Sequence, residues 1–295
     1  MRSRIVLSRV LLPACLGMAV LAGACGSNPI QPSPPPPAPQ IPAPVSNTAP
    51  VITGITIAAT RAEVDQLVSV TAAVQDAESP ADTLTYNWTA TAGTFVGSGR
   101  QVQYRLPKGA TTPVNVTISL EVVERFTDYN QTTGAAFTRE NRASATAPST
   151  LRVHDSPAEV AAITVRFLVD YFGNSAVSPD MCVSDFWDGC RGKQDEFNDI
   201  TNNRKNFRLI SSQAHVVDMV FDAGMTSADM NVYCDFHDIN LQTGQEGHSI
   251  GGCLMGAVYQ QQRWWLCYSN FDPKQTKQFV TMDEFFRRGL IDRRP

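Results

Sequence analysis

The sequence predicts two folded parts behind an export signal, an all-β domain followed by an α+β domain. Three observations support this fold class. Short β-branched runs with period-two alternation fill residues 48–153, a helical pattern opens residues 154–295, and four strand-like runs follow that helix. A chain of 295 residues is long enough for one to three domains.

Composition excludes two classes of protein. The formal net charge of −4 leaves no excess of lysine and arginine to neutralise phosphates, so we expect no nucleic-acid partner. The same composition, 43% hydrophobic and 18% charged, excludes a polytopic membrane protein. Ten of the 19 prolines lie between Pro29 and Pro50, which marks a separate linker segment.

Residues 1–24 are typical of a secretory signal, with three arginines in the first nine residues and an apolar stretch over 10–24. That stretch is too short for a stable transmembrane span. Its end, Ala-Gly-Ala before Cys25, resembles the lipobox of bacterial lipoproteins, which implies cleavage before Cys25 and acylation of that cysteine. Gly26, where an Asp commonly retains lipoproteins at the inner membrane, favours the outer membrane. The alternatives are an ordinary secretory signal and a second lipobox ending at Cys15.

Residues 25–47 are predicted to form a proline-rich linker. Proline has no amide donor and favours polyproline II, which rises about 3.1 Å per residue. The run from Ser27 to Pro50 therefore reaches roughly 70 Å and is expected to hold the domains off the membrane. A PxxP docking peptide is the alternative interpretation.

The first domain is predicted to be an antiparallel sandwich of about seven short strands. The opening Asn47–Ile52, the strand Leu84–Trp88 and the following Ala92–Phe95 resemble the PKD-like and cadherin-like group of immunoglobulin-type domains. The resemblance implies an immunoglobulin-like sandwich, a core position for Trp88, and a spacer or adhesive role. Residues 125–142 depart from the pattern and are predicted to form a long polar hairpin.

Asp76, Glu78 and Asp82 form an acidic loop in this domain. Closely spaced carboxylates are ligands that Ca²⁺ prefers, whereas the alternative interpretation is a solvated turn. The loop has no glycine at its bend, so the turn is the preferred interpretation. We expect neither a metal nor a cofactor here.

The second domain opens with a helix. Ser156 is predicted as its N-cap, Pro157 as a first-turn residue and Glu159 as the partner in a capping box. Apolar residues then recur at helical spacing until Gly173 ends the helix. A second helix is predicted over 193–203. The remaining predicted elements are four strands, Phe207–Phe221, Ala228–Ile239, Ile250–Gln260 and Arg263–Phe271, and a final helix, Thr281–Leu290.

This order of elements resembles the NTF2-like (SnoaL-like) cone fold. The supporting segments are the long first helix over 161–172, the long strand over 207–220 and the run Arg263–Leu266 in a late strand. The resemblance implies an α+β domain in which a curved sheet wraps around the first helix and encloses a pocket.

The cysteines of the second domain are expected to form two disulfides, which export permits. Cys182 and Cys190 are eight residues apart and are predicted to close a small loop. Cys234 and Cys253 lie on successive strands and pair if the register allows. Cys267, in an apolar run, remains as a buried free thiol.

Enzymes with the cone fold use buried Asp, Tyr or His groups inside the pocket for proton transfer. The candidates that could point inward are Tyr171, His215, Asp218 and Asp235. His215 and Asp218 lie three residues apart, so they occupy opposite faces of a strand unless a bulge intervenes.

A second kind of chemistry is metal binding. Asp235 and His237 share one strand face, because side chains alternate along a strand, and with His248 they could bind Zn²⁺. His248 follows a glycine-rich loop whose position the sequence does not fix, and no H-x-x-x-H spacing is present. Ordinary polar residues at a strand edge are therefore the preferred interpretation.

Together these features predict a lipoprotein anchored to the bacterial outer membrane, with a non-catalytic binding role. Its expected partners are the membrane, through the lipid, and an envelope protein, a glycan or a small molecule. The alternative is a small-molecule enzyme of the isomerase, dehydratase or cyclase type. An open pocket with converging buried acids and histidines would favour the enzyme, whereas a pocket filled by Phe, Met and Trp favours the binding role.

Overall fold

The computed structural model describes residues 40–173 and 176–272. The predicted signal peptide, Cys25, most of the proline-rich linker and the predicted helix Thr281–Leu290 lie outside the described residues. Within the described part of the chain, no helix is both long and apolar enough to cross a membrane.

Residues 40–154, here called the β region, contain ten strands in three sheets. These strands are β1 (Val51–Ile57), β2 (Arg61–Glu63), β3 (Val68–Gln75), β4 (Thr85–Ala90), β5 (Thr94–Val96), β6 (Gln101–Arg105), β7 (Val114–Val116), β8 (Ile118–Tyr129), β9 (Ala136–Thr146) and β10 (Leu151–His154). The sheet orders are β1-β3-β6-β5, β4-β8-β9 and β2-β10-β7. The pair β2-β10 is parallel, and all the other pairs are antiparallel.

Period-two alternation builds the core of the β region. Along β3, Val68, Val70, Ala72 and Val74 are buried, and the residues between them face outward. They join buried residues of β6 and β8 in one cluster. Trp88 packs against this cluster but stays half-buried, and its Nε1 donates to the carbonyl of residue 99 at 3.0 Å.

The polar segment 125–142 belongs to a long hairpin, which confirms that prediction. β8 and β9 pair continuously from Ser119 opposite Thr146 to Tyr129 opposite Ala136. Asn130 Oδ1 accepts the backbone N–H groups of the second and third residues after it, at 2.9 and 3.0 Å, and thereby fixes the turn.

Residues 40–50 are held against the β region by hydrogen bonds. The amide of Val45 donates to Asp128, and the Asn47 side chain donates to Glu124 at 2.8 Å. Burial tends to raise the pKa of Glu124, but hydrogen bonds from Asn47, Ser79 and Asn141 outweigh it and hold the pKa below its ordinary value. The end of the predicted linker is therefore bound to the folded part.

In residues 155–272, here called the α+β region, the described residues form three α-helices and a short 3₁₀-helix (Val183–Asp185), followed by a four-stranded antiparallel sheet in sequential order. This agrees with the predicted α+β class and with the predicted order of elements. Gln261 and Gln262, at φ of 49° and 63°, form the tight turn expected between the last two strands. The elements are α1 (Ser156–Gly173), α2 (Pro179–Cys182), α3 (Gly192–Asn206), β11 (Phe207–Phe221), β12 (Ser227–Asn240), β13 (Glu246–Gln260) and β14 (Arg263–Asp272).

The N-terminal cap of α1 differs from the prediction by one residue. Asp155 Oδ1 accepts the amide of Ala158, and the Glu159 side chain accepts the amide of Asp155 at 3.1 Å. Asp155, not Ser156, therefore caps the helix. Ser156 is buried and holds the two regions together, as described below.

The space between α1 and the sheet is filled by large apolar side chains. Phe167 and Phe186 meet edge to face, with ring centroids 4.8 Å apart. The side chains that fill this space and are at most 3% exposed include Val160, Phe167, Leu168, Phe186, Met230, Val232, Phe236, Met255, Trp264 and Leu266. Among the described residues, the space between α1 and the sheet is thus closely packed with apolar side chains.

Cys190 is bonded to Cys267, with an S–S distance of 1.99 Å. The predicted pair Cys182–Cys190 and the predicted free thiol at Cys267 are therefore wrong. A bulge between Gly256 and Ala257, which no sequence pattern predicted, makes Cys267 an extra residue outside the β13–β14 ladder.

The segment before α3 brings Cys190 to this bulge. Phe186 forms a parallel bridge with Leu266, and the amide of Trp187 donates to the carbonyl of Leu266 at 2.8 Å. Cys182 instead faces α3, where its sulfur accepts a hydrogen bond from Arg204 at 3.3 Å.

Cys234 and Cys253 are both buried, and their sulfur atoms are 2.7 Å apart without a disulfide between them. They lie diagonally across β12 and β13, because Cys253 stands opposite Val232. The hydrogen bond to Cys234 and burial raise the pKa of Cys253, which keeps this thiol protonated. The register thus brings the two cysteines together, and their disulfide stays a prediction.

Arg61 on β2 joins the two regions. Its guanidinium stacks on the ring of Tyr259, 3.6 Å from the centroid, and donates to the carbonyl of Met225 at 2.7 Å. The guanidinium also lies 5.6 Å from the ring centroid of Trp264, which is itself 5.5 Å from that of Tyr259. A cation of the β region is therefore enclosed by aromatic rings of the α+β region.

A second set of contacts continues this junction. Glu63 accepts hydrogen bonds from the amide and the hydroxyl of Ser156, at 2.9 and 2.8 Å. The same hydroxyl accepts from the indole of Trp264, and the fully buried His154 is hydrogen-bonded to the Tyr259 hydroxyl at 2.9 Å. These polar groups of the junction are therefore paired, whereas Arg61 Nε is buried without a hydrogen-bond partner.

Candidate functional site

The exposed face of the sheet, opposite α1, gathers chemically active side chains. On β12, Val232, Cys234 and Phe236 are buried against the interior, so alternation turns Tyr233 and Asp235 outward. His237 continues the same outward row. These side chains stand on a central strand that is hydrogen-bonded on both sides, which fixes their spacing.

His248 on β13 completes a compact group with Asp235 and His237, here called the outer-face triad. His248 stands directly opposite His237, and their ring centroids are 3.8 Å apart. His248 Nε2 lies 2.8 Å from Asp235 Oδ1. One potential ligand atom from each of the three residues lies within 4.8 Å of the others.

The turn before β13 fixes the position of His248. Asn240 Oδ1 accepts the amides of Gln242 and Thr243 at 2.9 and 3.1 Å, and Gly244 adopts a φ of +71°. This locks the β12–β13 register that places His248 opposite His237.

Two further aromatic residues border the outer-face triad. The Tyr233 hydroxyl lies 3.5 Å from Asp235 Oδ2, and the His215 ring stacks on Tyr233 with centroids 4.9 Å apart. Burial, followed by the nearby Asp235 carboxylate, raises the pKa of Tyr233, so the phenol stays protonated and can donate to Asp235.

Three of the four residues predicted as inward-facing catalytic groups are described, and they do not meet between α1 and the sheet. Asp235 faces outward, and His215 and Asp218 are both exposed. A bulge between Val216 and Asp218 brings His215 and Asp218 to the same outer face, which is the exception allowed for above. The side chain of Tyr171 lies outside the described residues.

The acidic loop of the β region has a structural role. Asp76 Oδ1 accepts the amides of Glu78 and Ser79 at 2.9 and 2.7 Å, and Glu78 accepts the hydroxyl of Thr48 at 2.8 Å. Asp82 does not join them in a common site. Among the described residues, the outer-face triad is the one group of three His, Cys, Asp or Glu side chains that gathers its ligand atoms closely.

Glu196 is a buried acid that the sequence reasoning missed. It lies on α3, four residues before the fully buried Ile200, and this i, i+4 spacing was the available signal. The Ser269 hydroxyl donates to it. Burial raises the pKa of Glu196 to about 7; the Ser269 hydrogen bond partly offsets this, and Asp199 and Asp195 raise it further.

Comparison with known proteins finds likeness in fold at low sequence identity. A ketosteroid isomerase-like protein from Erwinia carotovora atroseptica is 10% identical, with a TM-score of 0.33 over 38% of this chain and 91% of that one. An NTF2-like superfamily protein from Salmonella enterica serovar Typhimurium is 12% identical, with a TM-score of 0.34 over 43% and 96%. A domain with a cystatin-like fold from Nostoc punctiforme is 13% identical, with a TM-score of 0.32 over 45% and 84%.

No protein-family model matches the sequence, and the search of curated proteins finds no match.

Proposed function

We propose that this chain is an outer-membrane lipoprotein, anchored through Cys25, that binds a ligand without catalysing a reaction. In this proposal an immunoglobulin-like or PKD-like module in the β region carries an NTF2-like domain. The proline-rich linker over 25–47 separates both from the membrane. The partner is an envelope protein, a glycan or a small molecule.

The packed interior of the α+β region carries the non-catalytic part of the proposal. Phe167, Met230, Phe236, Met255 and Trp264 occupy the space where an enzyme of this architecture would hold its substrate. The acids and histidines predicted for proton transfer lie on the outer face instead. Binding is therefore expected at outer surfaces.

A fluorescent probe tests whether the interior is closed. We expect 1-anilinonaphthalene-8-sulfonate to give no saturable signal with the native full chain at neutral pH, because apolar side chains fill the described space between α1 and the sheet. Phe167→Ala, which removes a large side chain from the centre, is the positive control since it opens a cavity. Saturable binding to the native chain, displaced by a small apolar competitor, would contradict the proposal and favour the enzyme alternative.

The lipid anchor is supported by the sequence and by charge. Removal of residues 1–24 takes away three arginines and no acidic residue, so the net charge falls from −4 to −7. A protein with this charge is repelled by anionic lipid, so membrane attachment requires acyl chains. Each buried CH₂ contributes about 0.8 kcal/mol, and stable anchoring needs more than one chain.

Metabolic labelling with palmitate in a diderm bacterial host tests the anchor. We expect the native chain to be labelled and to fractionate with the outer membrane, and Cys25→Ser to lose both properties. Cys15→Ser, which changes the other cysteine of the same segment, is the matched control and should keep the label. Labelling that survives Cys25→Ser would overturn the anchor assignment.

A further inference from the structure

We infer that Asp235, His237 and His248 form a binding site for a divalent first-row transition ion, with Zn²⁺ as the representative. Two imidazoles and one carboxylate on adjacent strands are a donor set that such ions prefer. This site is separate from the anchor and from the packed interior, so it does not depend on the proposed function.

The distances fit an ion after small side-chain rotations. Zn²⁺ binds imidazole nitrogen and carboxylate oxygen at about 2.0–2.2 Å, which places tetrahedral ligand atoms about 3.4 Å apart. In the outer-face triad, His248 Nε2 and Asp235 Oδ1 are 2.8 Å apart, and all three ligand atoms lie within 4.8 Å of one another. These values lie on both sides of the required spacing. The ion takes the place of the proton shared by His248 and Asp235.

The backbone and a neighbouring hydrogen bond position the three ligand side chains before an ion binds. Asp235 and His237 are on a central strand, and His248 is two residues into β13, after the turn fixed by Asn240. The Tyr233 hydroxyl faces the second oxygen of Asp235, which leaves the first oxygen to the ion. Backbone register and an outer hydrogen bond thus orient the ligands before the ion arrives.

The exposure of the site determines what a bound ion can do. The side chain of His248 is 46% exposed and that of Asp235 is 28% exposed, so the ion enters from solvent. Three protein ligands leave at least one coordination position open. Water or an electron-pair donor of a partner, such as a carboxylate or an imidazole, fills that position. A hard ion such as Ca²⁺ is disfavoured because it requires six to eight oxygen ligands.

Calorimetric titration of the full chain with Zn²⁺ tests this site. The protein is purified without a polyhistidine tag, stripped with EDTA and titrated in a non-coordinating buffer. We expect saturable binding of one Zn²⁺ per chain and no comparable binding of Ca²⁺. His237→Ala and His248→Ala should each weaken the affinity at least tenfold.

The chain offers a matched control. Of its four histidines, two belong to the outer-face triad, and a third, His215, lies on the same face of the sheet beside Tyr233. His215→Ala should leave the Zn²⁺ affinity within twofold of the native value. Equal loss in His215→Ala, unchanged affinity in the triad variants, or absence of saturable Zn²⁺ binding would each overturn the assignment.

Co²⁺ gives a second readout that does not rely on the alanine variants. Bound at nitrogen and oxygen ligands, it should show a visible d–d absorption band in the native chain. Asp235→Asn keeps the shape of the side chain and removes its charge, so loss of the band with an unchanged near-ultraviolet circular dichroism spectrum supports the site. A band of full intensity in Asp235→Asn contradicts it.

Discussion

Replacing Cys190 with alanine is expected to lower the free energy of unfolding by about 4 kcal/mol under oxidising conditions. The Cys190–Cys267 bond closes a loop of 77 residues that contains α3 and most of the sheet. In the chain-entropy account, a crosslink over so long a loop removes many conformations from the unfolded chain. Urea unfolding followed by circular dichroism measures the loss.

Reduction provides the control for this prediction. In dithiothreitol the native chain should lose the same stability, while the Cys190→Ala variant should change little. Mass spectrometry of peptides from the non-reduced chain identifies the bond directly. It also shows whether Cys234 and Cys253 pair. A crosslink between Cys182 and Cys190 would contradict the structure.

Glu196→Gln is expected to raise stability at pH 8 by about 3 kcal/mol and to change it little near pH 4. Burial raises the pKa of Glu196 from 4.5 to about 7. Between these values the unfolded chain releases the proton and the folded chain retains it, so native stability falls as pH rises. Above pH 7 the full penalty remains, because the carboxylate is charged in both states. Glutamine stays neutral and avoids this penalty.

Urea unfolding at several values between pH 4 and pH 8 checks the difference between variant and native chain. Taking the difference removes the contribution of other titrating groups such as Glu124. The lowered pKa of Glu124 means that its carboxylate stabilises the fold above pH 4.5, and this stabilisation is lost as pH falls. Glu246→Gln, at the exposed start of β13, is the matched control and should show no such pH dependence. A pH-independent difference for Glu196→Gln would show that this carboxyl is not buried as described.

Local pattern predicted much of the secondary structure. The strand over Phe207–Phe221 and the turn at Gln261 and Gln262 follow from alternation and from turn propensity, which act between near neighbours. The same locality explains the misassigned helix cap, since Asp155 and Ser156 are both good caps and differ by one position. Glu63, 93 residues away in the sequence, engages Ser156 and leaves Asp155 to cap the helix.

Long-range features could not be predicted in this way. The pairing of Cys190 depends on one bulge residue in β14, and a bulge changes the face of every residue beyond it. The bulge in β11 likewise moves Asp218 to the face of His215. The outer-face triad required the β12–β13 register, because Asp235 and His237 share a face by alternation but His248 joins them through the five-residue turn.

The aromatic enclosure of Arg61 has a thermodynamic consequence. Unfolding of the α+β region would strip Tyr259 and Trp264 from this cation and leave Glu63 without Ser156, so the two regions are expected to unfold in one cooperative transition. Any ligand of the sheet then protects the distant β region from proteolysis. At a ligand concentration 100 times its Kd, that protection amounts to about 2.7 kcal/mol. Through the junction, binding of a ligand to the α+β region thereby makes the β region more resistant to proteolysis.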